Sequence, residues 1–183
     1  GHCKDRLGGS VYSQVTQRFD SVTPDMEDPK ELKKFLELIR SLSAKGAILA
    51  YHDRSDGGLA AALCEMMFAS HVGVEIVADA LVSKDRTLNQ ALFNEELGAV
   101  IQVARGRAAE VERDFEAAGM GWSLKYLGNL TQDDHLNIYL EGKCVLSEDR
   151  VDLQKAWNEV SWQIARMRDN PECADSEYEL ISD

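Results

Sequence analysis

An α/β (α+β) domain, a mixed β-sheet packed with helices, is the fold class this sequence predicts, on three observations. Apolar residues recur at helical spacing, most clearly at Leu32, Phe35, Leu36, Ile39 and Leu42. Short apolar runs, AILAY, VGVEIVA and GAVIQVA, lie between the helical patterns and read as buried strands. Two short strands facing each other across Glu141-Gly142 read as a hairpin, which argues against a purely parallel sheet.

The elements follow in order. Residues 10–18 read as a short helix after Gly8-Gly9. Asp28-Pro29-Lys30-Glu31 is a strong helix start: Asp28 accepts from first-turn amides, Pro29 suits the first helical position, and Glu31 has capping-box spacing. Gly46 is placed to end that helix. Residues 47–51 form the next strand, the polar stretch HDRSDGG the loop after it, and residues 59–70 an apolar helix whose one charge is Glu65. Residues 72–78 return as a strand, giving a βαβ-like unit. A short helix over 87–93, a strand over 98–104 and a helix with Ala108, Val111, Phe115 and Ala118 on one face, closed by Gly119, come next. Residues 123–130 read as a strand, and 135–140 with 143–146 as the hairpin. Leu153, Trp157, Val160, Ile164 and Met167 alternate steps of four and three along a long amphipathic helix, which Asn170-Pro171 ends. Residues 1–170 are thus expected to form the domain, and 171–183 a polar, acidic linker or tail.

Composition narrows the function classes. The 183 residues carry a net charge of −12, with 32 acidic against 20 basic residues, and no Lys/Arg cluster beyond Lys33-Lys34. Nucleic-acid binding is not expected from this balance. No apolar run reaches the ~20 residues a membrane span needs, and the start, GHCKDRLGGS, lacks the apolar centre of a signal peptide. Gly1-His2 reads as a cloning remnant. Cys3, Cys64, Cys144 and Cys173 are scattered without zinc spacing, so reduced thiols in a cytoplasmic protein are expected.

The stretch YHDRSDGG concentrates the chemistry. Helix-first amides lack partners and carry partial positive charge, so they can bind a phosphate. Gly57 and Gly58 allow a sharp turn and close backbone approach to a ligand. Ser55 can donate to a phosphate oxygen. Asp53 and Asp56 repel a phosphate unless a Mg²⁺ lies between them. The competing reading is structural: Asp56 or Ser55 caps the helix, worth about 1 kcal/mol, and His52 is a core residue. The residues alone leave both open, and they supply too few ligands for a complete magnesium site. Glu95 and Glu96, before a strand, read as a solvated helix end, with a domain interface or channel as the alternative. His71 and His135 have no metal-spaced partners. Trp157 and Trp162 read as core or interface packing.

Four stretches together, AYHDRSDGGLAAALCEM, LFNEELGAVIQV, LGGSVYSQV and RMRDNPECADSEYE, resemble the large, single-chain formylglycinamidine ribonucleotide synthetase family. The resemblance covers nearly the whole chain. It implies the C-terminal domain of the second of two aminoimidazole-ribonucleotide-synthetase-like copies, in an enzyme that uses ATP and glutamine in purine biosynthesis. It implies that Asp53 is a Mg²⁺ ligand and Ser55 a nucleotide contact at an auxiliary, structural ADP. No family role passes to Asp56, Gly57 or Gly58. The partners implied are a preceding nucleotide-binding domain, which holds the other magnesium ligands, and a following glutaminase domain. None of the cysteines sits in a nucleophile elbow, so no catalytic residue is assigned and the isolated chain is expected to be inactive. The rivals are the C-terminal domain of another ATP-dependent superfamily member, such as a selenophosphate or thiamine-phosphate kinase-like enzyme, and a stand-alone interaction module.

Overall fold

The computed structural model describes residues 4–19 and 22–182. Gly1-His2 and Cys3 lie outside them. In chain order the elements begin with α1 (Val11–Thr16), α2 (Pro29–Ala44), β1 (Ile48–Asp53), α3 (Gly58–Ser70), β2 (Gly73–Val77), α4 (Leu88–Phe93) and β3 (Ala99–Val103). There follow α5 (Ala108–Ala117), β4 (Gly128–Thr131), β5 (His135–Leu140), β6 (Lys143–Asp149), α6 (Arg150–Arg168) and α7 (Pro171–Glu179). These elements fall into two compact units. The first takes the described residues up to Leu63 together with Ala80–Leu127; the second takes Cys64–Asp79 and the described residues from Gly128 onward.

In the first unit the helix starts are local events. Asp28 accepts the Lys30 amide at 2.8 Å and Pro29 opens α2. Thr87 and Gln90 close a reciprocal capping box on α4. Leu42, Ala47, Val111, Phe115 and Met120 form the buried core, with Phe35, Leu38 and Ile39 of α2 packed against it. Leu36, expected on that face, is exposed. Strand β1 pairs antiparallel with β3, placing Tyr51 opposite Ile101, His52 opposite Val100 and Asp53 opposite Ala99. Two expectations are corrected here. The strand runs through His52 and Asp53 rather than stopping at Tyr51, because β3 continues the ladder. The βαβ-like unit does not form either, since β1 and β2 belong to different sheets.

The second unit contains the mixed sheet, ordered β4-β2-β5-β6, with β2 parallel to β5 and the other pairs antiparallel. Val74, Ile76, Leu136 and Ile138 fill its buried face. Glu141 and Gly142, both at positive φ, make the two-residue turn of the β5–β6 hairpin. The strand expected over 123–130 shortens to β4, preceded by a 3-10 turn at Gly121–Ser123.

The acidic end is also corrected. Asn170 accepts the Glu172 amide at 2.9 Å, Pro171 takes the first helical position, and the segment read as a tail folds as α7. It docks on α6: the Trp162 and Tyr178 rings stack at 4.2 Å, the Trp162 indole N–H donates to Asp175 at 2.9 Å, and the Tyr178 hydroxyl donates to the Lys155 carbonyl at 3.0 Å. The face of α6 that the 4-3 spacing marked as apolar points outward instead, with Trp157 59%, Val160 70% and Met167 80% exposed. Trp162 therefore packs as expected, while Trp157, expected in core or interface packing, lies outside the core with its ring centroid 6.0 Å from that of Phe68.

Candidate functional site

Strand alternation sets the site. Along β1, Ile48, Ala50 and His52 are half-buried, while Leu49, Tyr51 and Asp53 face outward. Asp53 thus leaves the end of the strand with its carboxylate exposed. Burial, and then the charge of Asp53, raise the Tyr51 hydroxyl above its ordinary pKa, as expected for residues two apart on one face. The His52 ring nitrogen Nδ1 lies 2.6 Å from the Asp53 carbonyl.

Arg54 turns the other way. Its amide donates to the Gly98 carbonyl at 2.8 Å, continuing the β1–β3 ladder, and its Nε donates to the Glu96 carbonyl at 2.6 Å. With Arg54 held down, the neighbours on either side, Asp53 and Ser55, are exposed, as is Asp56. The corner therefore presents two carboxylates and a hydroxyl on an open edge.

The turn into α3 is built by the two glycines. Gly57 (φ +80°) and Gly58 (φ +70°) occupy the left-handed region. A Cβ on Gly58 would lie 2.7 Å from the carbonyl oxygens of Leu92 and Asn94 and 2.8 Å from the Phe93 carbonyl carbon. Its small size is thus required by the approach of the protein's own backbone, where the sequence suggested approach to a ligand. The local cap is replaced as well. Among the described residues neither Ser55 nor Asp56 lends a side chain to the first turn of α3; the Gly57 amide donates to Glu95 Oε1 at 2.9 Å. The amide just before α3 is thus held by a carboxylate of the protein.

Glu95 and Glu96 correct the expectation of a solvated helix end. Glu96 is 1% exposed and receives Arg6 through Nε at 2.6 Å and Nη2 at 2.9 Å. Burial alone would raise the Glu96 pKa, but the Arg6 guanidinium outweighs it and holds the carboxyl below the ordinary range. Arg6 also donates to Glu27 at 2.9 Å. Asn94, fully buried, donates to Asp5 at 3.0 Å, and Asp5 pairs with Arg86 at 2.6 Å. Sequence reasoning missed this network because its partners lie 90 residues apart. The available signal was three polar residues, Asn94 to Glu96, between an apolar helix and an apolar strand.

The donor chemistry suits part of a magnesium site. Mg²⁺ takes oxygen ligands and is often held by one or two carboxylates plus substrate phosphates and waters. Asp53 is one such ligand on an exposed edge, yet no group of three or more His, Cys, Asp or Glu able to hold a metal gathers among the described residues. The described residues alone do not close a metal site. Elsewhere, burial and then Glu65 push the Cys64 thiol up to about 11, the reverse of an activated nucleophile, while Cys144 and Cys173 are exposed. Among the described residues no helix is long and apolar enough to cross a membrane.

Comparison with known proteins places the fold. Residues 1–141 match the family described as AIR synthase related protein, C-terminal domain. The structure is similar to T. maritima PurL complexed with FGAR, at 16% identity and a TM-score of 0.61, over 70% of this chain and 21% of that chain. It is similar to PurLQS from Thermotoga maritima, at 15% identity and a TM-score of 0.61, over 78% of this chain and 24% of that one. A chain of the HypE-HypF complex is similar at 20% identity and a TM-score of 0.57, over 79% of this chain and 48% of that one. This chain thus spans less than half the length of each of these chains, and the likeness at such identities is one of fold.

Proposed function

The chain belongs to the AIR synthase related protein family, whose C-terminal domain it carries over residues 1–141, and from that premise we infer that it is part of an ATP- and glutamine-dependent amidotransferase of purine biosynthesis. The reaction is conversion of formylglycinamide ribonucleotide to its amidine. In that reading the chain supports an auxiliary Mg²⁺-ADP site and is inactive alone. The observation that carries it is the corner itself: Arg54 is bonded inward to the Glu96 and Gly98 carbonyls, and Asp53 and Ser55 stand exposed on either side of it. The fold likeness to PurL complexed with FGAR supports the choice of substrate class.

Each residue then has a defined task. Asp53 contributes one oxygen to a Mg²⁺ whose other ligands come from a preceding nucleotide-binding domain. Ser55 donates its hydroxyl to a phosphate oxygen of the nucleotide. Bound Mg²⁺ supplies neutralisation of diphosphate charge. Asp56, exposed beside them, adds negative charge that favours a cation-bridged nucleotide over a bare one. Phosphorylation of the substrate amide oxygen, and its displacement by ammonia from a following glutaminase domain, occur outside this chain. Such an enzyme belongs in the cytoplasm.

The likeness to a chain of the HypE-HypF complex favours a second reading, the C-terminal domain of another ATP-dependent superfamily member. The reading frame that encodes this chain separates the two. A nucleotide-binding domain upstream and a glutaminase downstream are expected. A frame with the former and no glutaminase would replace the first reading with the second. Amidine formation by the isolated chain would contradict its assignment as a supporting domain.

A further inference from the structure

We propose that Glu95 is the positioning residue of the Asp53–Ser55 corner, a built-in anion that fixes the turn into α3 and takes the Gly57 amide away from any phosphate. Three observations converge on it. Glu95 Oε1 accepts from the Gly57 amide at 2.9 Å and from the Val11 amide at 2.9 Å. One oxygen therefore ties the turn before α3 to the first residue of α1. Its neighbours are fixed on both sides, Asn94 to Asp5 at 3.0 Å and Glu96 to Arg6 at 2.6 Å, so the carboxylate is presented from a rigid support. The Gly58 backbone rests on the carbonyls of Leu92 and Asn94, closer than any other residue type permits.

The consequence concerns how the ligand is gripped. With the Gly57 N–H committed to Glu95, this amide does not cradle a phosphate, and the Asp53 carboxylate and the Ser55 hydroxyl are exposed groups left beside it. Glu95 touches no ligand; it acts by holding the backbone between Ser55 and Gly58 in one geometry. This consequence rests on the nucleotide assignment above, whereas the anchoring does not.

Amide hydrogen exchange on the ¹⁵N-labelled chain tests it with Glu95→Ala, Glu95→Gln and Glu95→Asp. A hydrogen bond to a charged group is strong enough that Glu95→Ala is expected to speed exchange at both Val11 and Gly57 by about tenfold or more. Glu95→Gln keeps an acceptor oxygen at the same reach and restores protection at both, while the shorter Glu95→Asp reaches at most one. Should the alanine variant fail to fold, the Gln and Asp variants decide alone. Unchanged exchange at either amide in Glu95→Ala, or protection at both in Glu95→Asp, would overturn the proposal. Millimolar Mg²⁺-ADP is then added to the polypeptide that joins this chain, ¹⁵N-labelled, to the nucleotide-binding domain proposed to precede it. Shifts at the Ser55 and Asp56 amides in wild type and Glu95→Gln, diminished in Glu95→Ala, support positioning. Equal shifts in Glu95→Ala overturn it. No shift in any form contradicts the nucleotide assignment and leaves the anchoring to be decided by exchange.

Discussion

Replacing Gly58 with alanine places a methyl group against three backbone atoms of a neighbouring turn. The Cβ would stand 2.7 Å from two carbonyl oxygens, of Leu92 and Asn94, and 2.8 Å from the Phe93 carbonyl carbon. These atoms belong to the end of α4, fixed by its capping box and by the buried Asn94, so they have little freedom to retreat. Left-handed backbone costs a non-glycine residue about 1–2 kcal/mol, and forcing a methyl into packed surroundings adds roughly 1–3 kcal/mol. Gly119 supplies the control. It lies in the same unit at φ +69°, and a Cβ there meets nothing within 4 Å. Gly119→Ala should therefore lose only the conformational part, about 1–2 kcal/mol, and Gly58→Ala the sum, about 2–5 kcal/mol. Urea unfolding followed through the methyl resonances of Leu42 and Val111, in the core of that unit, measures both. If the two variants agreed within about 0.5 kcal/mol, the size of an ordinary surface effect, close backbone approach would not be what selects glycine at position 58.

The other predictions concern titration and reactivity. Glu96 has a folded pKa below its unfolded value of about 4.3, so its contribution to stability is complete above that pH and lost as pH falls through the folded value. Acid unfolding of wild type should show this slope; Glu96→Gln should lower the unfolding midpoint at neutral pH and flatten the acid limb, and an unchanged slope would contradict the pairing with Arg6. Because burial raises the Cys64 thiol to about 11, iodoacetamide at pH 8 should label the exposed Cys144 and Cys173 well before Cys64. Peptide mapping reads the order, and equal rates would contradict the burial.

Much of the fold was legible because it is written locally. The α2 start depends on Asp28 and Pro29, adjacent in sequence, and the β5–β6 turn on Glu141 and Gly142. The acidic end was misread because Asn170-Pro171 serves two purposes: the pair that stops α6 also caps and starts α7, and its docking depends on Trp162 stacking with Tyr178 sixteen residues away. Helical spacing likewise found the apolar stripe of α6 but not its direction, since period reveals a face and not what covers it. At the site, YHDRSDGG located the exposed Asp53 and Ser55. It did not disclose that Gly58 packs on protein backbone or that Glu95 captures the Gly57 amide. Those facts depend on contacts nearly forty residues away, which no local pattern encodes.

The most direct measurement is the nucleotide retained by the polypeptide that joins this chain to the nucleotide-binding domain proposed to precede it. The purified protein is denatured, and the released ADP is quantified by chromatography against protein concentration. Wild type is expected to release close to one ADP per chain, and Asp53→Asn and Ser55→Ala much less, with thermal stability of the isolated chain unchanged by either exposed substitution. Equal ADP in all three proteins would contradict the assignment of Asp53 and Ser55 to the nucleotide site.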